Sequence, residues 1–171
     1  MIESLEIQPW FFRVEPYEGE SISHFLGRFK RANDLTSSGL GKAAGIGGTL
    51  ARWEKFWFNP RPSQQELEAL AKVVEIDAVR LAQMLPNLGE SMDYEPIKLC
   101  GGCYTEFACH RIEWQFKMTR GCSRHGLRLL SECPKCGARF KIPALWIDGH
   151  CHRCFTTFAE MRKYQKPIKP S

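Results

Sequence analysis

Capped apolar residues at helical spacing between residues 20 and 86, and cysteine pairs confined to residues 100–154, predict a two-part fold. It is a mainly α N-terminal helix-turn-helix domain plus a small β-rich tandem zinc-ribbon domain. The divisions read as an extended aromatic arm (1–19), a helical domain (20–86), a linker (87–99), the ribbons (100–161) and a basic disordered tail (162–171).

The arm, Gln8 to Pro16, is bounded by prolines and carries Trp10, Phe11 and Phe12 in succession. Three consecutive aromatics cannot all face one core. Either Trp10 and Phe12 pack on the helices and Phe11 does not, or the three bind a partner, since aromatics are enriched at interfaces. The first helix opens at Ser21 as N-cap, with Ile22, Phe25, Leu26 and Phe29 on one face and His24 on the polar side. Between Thr36 and Phe56, Leu40, Ala43, Ala44, Ile46, Leu50 and Trp53 are interrupted by Gly45, Gly47 and Gly48. Short helix, glycine turn, short helix is the layout of a helix-turn-helix, with Thr49 to Phe56 as its recognition helix. Ser63 and Glu66 form a capping box ahead of Leu67, Leu70, Ala71 and Val74. Asp77 caps a last helix with Leu81, Ala82 and Leu85 inward, stopped by Pro86.

Beyond the linker, Cys100 and Cys103 are answered by Cys122 and His125, and Cys133 and Cys136 by Cys151 and Cys154. Each set offers four soft or borderline donors in two tight turns, the way a closed tetrahedral zinc site is built. Two structural Zn2+ ions are therefore expected. Disulfides fit less well, because residues 1–6 are acidic and form no apolar leader, and cysteines are absent from residues 1–99. Redox C-x-x-C motifs come singly, and catalytic zinc keeps an open position that four protein ligands would fill. Cys109 reads as a small buried hydrophobe, His110 as a surface group or one behind a ligand, and His150 and His152 as bystanders. Ile112, Trp114, Phe116 and Met118 alternate with polar residues, a strand pattern; Leu127 and Leu129, then Phe140 and Ile142, suggest shorter strands. So small a region has little core, and metal would supply its folding energy.

Net charge is +5 and uneven: residues 1–99 hold 11 Lys and Arg against 14 Asp and Glu, residues 100–171 hold 13 against 5. A basic ribbon half suits a nucleic acid or an acidic protein, though a solvated surface accounts for the charge equally well. Arg52, Lys55, Trp57 and Arg61 mix cations with an aromatic as nucleic-acid surfaces do. No apolar run approaches a membrane span, and reduced thiols point to the cytoplasm. With no P-loop, no paired catalytic carboxylates and no Ser/His/Asp cluster, no catalytic residues are assigned and no enzyme is expected.

Pro16-Tyr17-Glu18-Gly19-Glu20-Ser21 leading into Phe25 and Arg28, then Cys109-His110-Arg111-Ile112-Glu113-Trp114, Cys122-Ser123-Arg124-His125-Gly126, Leu129-Leu130 and Cys133-Pro134-Lys135-Cys136-Gly137, form a connected pattern. It resembles the TniQ/TnsD family of Tn7-like transposons from about Pro9 to Met161. The chain looks most like the short TniQ of CRISPR-associated transposons with a type V effector, without the long C-terminal helical extension of most members. The resemblance implies a non-enzymatic adaptor linking an RNA-guided effector and its tracrRNA to a TnsC-type AAA+ ATPase that recruits the transposase.

The alternative is a sequence-specific DNA-binding transcriptional regulator that places the helix-turn-helix in the major groove. Against it, the recognition helix offers Arg52 and Lys55 but also Glu54, and few residues that read bases; residues 1–99 are acidic overall. The adaptor is the expected function, with DNA contact possible and a monomer expected for the isolated protein.

Overall fold

In a computed structural model, residues 11–169 are described. Trp10 lies outside the described residues. Five helices come first: α1 (Ile22–Ala32), α2 (Ser37–Ala44), α3 (Thr49–Glu54), α4 (Gln64–Val74) and α5 (Ala78–Ala82). Each boundary has a local cause. Ser21 accepts from the His24 amide, Thr36 from Gly39 and Asp77 from Val79, each satisfying an otherwise orphaned helix donor. Ser63 and Glu66 form the reciprocal capping box of α4. Gly45, left-handed at φ 72°, ends α2 and turns the chain into α3. Ile22, Phe25, Leu26, Phe29, Leu40, Leu50, Trp53, Leu70 and Leu81 form a fully buried core.

A second core forms around the cysteines from Leu99, Ile112, Trp114, Phe140, Trp146, Phe158 and Met161. Secondary structure here is sparse: α6 (Gly101–Glu106), the 3-10 helices η1 (Ile112–Gln115), η2 (Pro143–Leu145) and η3 (Glu160–Tyr164), and a hairpin of β1 (Gly121–Cys122) and β2 (Leu127–Arg128). The hairpin pairs Gly121 with Arg128 and Cys122 with Leu127. The sequence reading of fold class holds, a helix-rich front and a small sheet with two cysteine-rich groups. The strand expected from the alternation at 112–118 does not form. Ile112 and Trp114 are buried as expected, but within a tight 3-10 turn, and Gln115 is buried too.

The tail expected to be disordered is instead ordered through Lys169. Arg128 donates its amide to the Lys166 carbonyl at 2.8 Å, and Ile168 donates to Gly126 at 2.9 Å. The buried Gln165 side chain accepts from the Gly101 amide and donates to the Arg128 carbonyl. The signal missed was Gln165 itself, a polar residue placed to satisfy backbone groups of two other segments.

The two cores meet along α1 and η2. Ser23 Oγ donates to the Glu54 carbonyl at 2.6 Å and accepts from the Ala144 amide at 3.1 Å. The Arg31 guanidinium spans the carbonyls of Ala144 and Trp146 at 2.8 and 3.0 Å. Phe56, at the exit of α3, joins the cysteine-side core rather than the helical one.

Candidate functional site

The eight donors chosen from spacing converge. Cys100, Cys103, Cys122 and His125 form one group and Cys133, Cys136, Cys151 and Cys154 another, with the donor atoms of each within 4.8 Å of one another. In the first, Cys103 and Cys122 Sγ are 3.3 Å apart, and His125 Nδ1 lies 3.8, 3.4 and 3.4 Å from Cys100, Cys103 and Cys122. In the second, Cys133–Cys154 and Cys136–Cys151 are each 3.6 Å. A tetrahedron with metal–sulfur bonds of about 2.3 Å has edges of about 3.8 Å. Both groups have that size, and all their cysteines are free thiols. The donors fit a closed tetrahedral site, and two metal-binding groups are present.

Local backbone chemistry builds three of the four knuckles alike. The residue four after the first ligand returns its amide to that ligand's carbonyl: Gly126 to Cys122, Gly137 to Cys133 and Phe155 to Cys151, at 2.8, 2.9 and 3.0 Å. All three are left-handed, at φ 64°, 75° and 63°. Glycine occupies two of these positions for the usual steric reason, and Phe155 occupies the third. The remaining knuckle makes the same bond, Tyr104 to Cys100 at 3.0 Å, but as the first turn of a helix, with Cys100 as N-cap of α6. Gly102 gives the His125 ring room, since a Cβ there would meet ring atoms at 3.0–3.2 Å.

Within each group the thiols share protons unequally: Cys100 and Cys154 are lowered, while hydrogen bonding to Cys100 raises Cys103 and burial raises Cys133 to about 11. The hydrogen bond from Cys103 holds the Cys100 thiol down to about 4 despite its burial. Hydrogen bonds from Thr156 hold Cys154 at about 6. Cys109 joins neither group; burial pushes its thiol up to about 12, as expected of an inert core residue. His150 and His152 also stand outside both groups.

Two histidines are corrected by the structure. His110 is fully buried, not superficial. Gln115 Oε1 can only accept, so His110 carries its proton on Nε2 (3.2 Å) and accepts at Nδ1 from Ser21 Oγ (2.9 Å). Burial holds this imidazole at about 3, far below the ordinary value. His24 is also buried, its Nδ1 against the Glu20 carboxylate. Glu20, wholly buried, further accepts from the Tyr17 amide at 3.1 Å, while Arg28 lies over the Tyr17 ring at 4.4 Å. Backbone pairing completes the arrangement: Ser21 donates to His110 and Ile112 to Gly19, at 2.9 and 3.0 Å. The Pro16–Ser21 and Cys109–Trp114 motifs, about ninety residues apart, are therefore two sides of one junction. Sequence reasoning quoted Glu20 only within a motif and gave no role to Ser23 or Gln115, all three buried; the available signal was polar residues set among strongly apolar ones.

A family model for TniQ matches residues 11–129. The chain belongs to the TniQ family. It is thus a transposition-associated protein of the Tn7-like kind, and the match spans the helices, the buried junction and the first metal-binding group. No curated protein matches the chain. Among the described residues no helix is long and apolar enough to cross a membrane.

The surface residues singled out in this TniQ-family chain divide by environment. Phe11 packs edge-on against Phe29 at 5.9 Å, while Phe12 is 76% exposed, the reverse of the packing alternative drawn from sequence. Asn33 grips the Phe12 backbone from both sides, accepting from its amide at 2.6 Å and donating to its carbonyl at 3.0 Å. Arg52, Trp57 and Arg61 line one open groove of about 790 Å³ together with Phe58, Leu88 and Tyr94. Lys55 lies outside its lining, with its Nζ 4.8 Å above the exposed Trp57 ring. Arg61 is tethered, donating to the Pro86 carbonyl at 2.6 Å. Glu54, counted against DNA reading, turns inward to Lys30 at 2.6 Å and faces no ligand.

Proposed function

We propose that this protein is a non-enzymatic targeting adaptor in transposition. It joins an RNA-guided effector with its tracrRNA to a TnsC-type AAA+ ATPase that recruits the transposase. The observation that carries this reading is the TniQ match over residues 11–129; the geometry supports it by offering two separate surfaces on one scaffold. Phe12, backbone-clamped and side-chain-exposed, is preorganised to enter a protein pocket at little entropic cost, and Trp10 and Phe11, which precede it in the sequence, belong to the same proposed partner-binding arm. The Arg52–Trp57–Arg61 groove, with Lys55 at its margin, suits a single-stranded stretch of RNA: cations for phosphate and an aromatic face for a base.

Cys100, Cys103, Cys122 and His125 would hold one Zn2+, and Cys133, Cys136, Cys151 and Cys154 a second. Zinc here cross-links loops that have little hydrogen-bonded structure of their own. The residues do the rest: they close the coordination shell and keep the two surfaces in fixed relation. Residues 20–86 and 100–161 act as the two structural units, and weak contacts to ATPase and RNA gain strength by being presented together.

The test is affinity capture of the tagged protein from its native host, with and without nuclease. An AAA+ ATPase retained after nuclease supports the adaptor; recovery of one discrete DNA sequence and no ATPase overturns it in favour of a DNA-binding regulator.

A further inference from the structure

Glu106 sits where a ligand set is oriented. It is the last residue of α6, so Cys100, Cys103 and Glu106 recur at three-residue spacing along one side of the helix. Its Oε1 is 2.7 Å from His125 Nε2 and its Oε2 is 2.8 Å from Arg124 Nη2. One carboxylate therefore grips two residues of the opposite knuckle. A carboxylate at a helix C-terminus opposes the helix dipole, so its presence calls for a compensating role, and His125 supplies one. Because Nδ1 of His125 faces the three sulfurs, the proton must reside on Nε2, the nitrogen facing Glu106.

We propose that Glu106 is the positioning residue of the first metal group. It accepts from His125 Nε2–H, fixes the tautomer that leaves Nδ1 free for the metal, and holds the ring against Gly102. The second group, with four cysteines, has no histidine to orient. The two sites therefore differ in how their hold on metal can be lost, the first through a single outer side chain. The assignment rests on the zinc reading above.

The experiment uses the full-length zinc-loaded protein and Glu106→Gln, Glu106→Ala and Arg124→Ala variants. Zinc content is measured first, then release to a chelating dye, and long-range 1H–15N spectra report the His125 ring. Glu106→Ala should release one of two zinc ions about 10–100-fold faster, with loss of the Nε2–H signal to exchange with water. The other ion should leave at the native rate. Glu106→Gln, whose amide oxygen still accepts, should restore most of the retention. Arg124→Ala, which leaves the Glu106–His125 bond in place, should match the native protein. Native rates for both ions in Glu106→Ala would overturn the proposal, as would equal acceleration of both or a Glu106→Gln no better than alanine. A native protein that binds no zinc would instead overturn the metal reading itself, and this assignment with it.

Discussion

A Cβ placed on Gly27 would stand 2.3 Å from the carbonyl oxygen of Ala144 and 2.7 Å from its Cα. Helix α1 and turn η2 approach so closely because this residue has no side chain, and Ser23 and Arg31, four residues to either side, hydrogen-bond to the same turn. Gly27→Ala should gain about 1 kcal/mol of helix propensity yet lose more to overpacking, which typically costs about 1–3 kcal/mol. The expected net result is a lower Tm by calorimetry and weaker protection of the Ala144 amide from exchange. A higher Tm would mean that η2 yields freely.

Phe155 should be replaceable at a profit in stability. Its φ of 63° is the conformation that Gly126 and Gly137 hold in the sister knuckles, and its side chain is 68% exposed. The left-handed conformation costs a non-glycine residue about 1–2 kcal/mol. Phe155→Gly should raise the unfolding free energy by about 1 kcal/mol; a loss would show that the ring's contact with His150 outweighs the backbone term.

His110 makes stability fall on the acid side. Its folded pKa of about 3 lies below the unfolded value of about 6.5. Above pH 6.5 both states are neutral and the residue adds no pH dependence. As pH drops from 6.5 toward 3 only the unfolded chain takes the proton, so stability declines by about 2 kcal/mol at pH 5. Comparing denaturation midpoints of the native protein and His110→Asn at pH 7 and pH 5 cancels the contribution of the thiols. An equal pH dependence in both would contradict the assignment.

Chelation should dismantle the second core before the first. Structural zinc contributes about 10–16 kcal/mol per site in peptide systems, comparable to the whole stability of a domain. Cys100→Ser and Cys133→Ser should each lose zinc and the near-ultraviolet signal of Trp114 and Trp146, which pack in the cysteine-side core. A zinc-replete, fully folded Cys133→Ser protein would remove that residue from the ligand set.

Trp57→Ala should weaken binding of single-stranded RNA by about 1–3 kcal/mol, and Arg52→Glu should weaken it and flatten its salt dependence. Neither should change zinc content. Unaltered RNA affinity in both variants would reduce the groove to solvated surface.

How legible each feature was depended on the range of the interaction behind it. Caps at Ser21, Ser63 and Asp77 act within three residues, and the cysteine pairs carry their geometry in their spacing, so both could be read directly. Ile112 to Gln115 alternates in polarity because Gln115 is an interior hydrogen-bonding hub: Oε1 accepts from Lys98 and His110, while Nε2 donates to Asp93 and Pro96. A period-two pattern cannot distinguish that from a strand. His24 looked polar-faced because its partner Glu20 precedes the helix, and His110 looked superficial because its enclosure comes from Phe56, Trp114 and Trp146, each in a different segment. Glu20 and Trp114 are each four residues from the histidine they contact, but the burial of His110 also needs Phe56 and Trp146, far off in the chain.

The pairing of residues 166–168 with β2 has a consequence beyond order. A two-stranded hairpin leaves two open margins of unpaired amides and carbonyls, each able to template another chain. Here the segment Lys166-Pro167-Ile168 lies along one margin of Leu127–Arg128 and offers the next neighbour a proline, with Lys166 before it and Lys169 two residues after it. Proline has no amide to donate and the charges of Lys166 and Lys169 disfavour an incoming strand, so the segment is expected to guard that margin against self-association. A version cut after Gln165 would keep every cysteine yet lose that guard, and its failure would be seen as aggregation and not as lost metal.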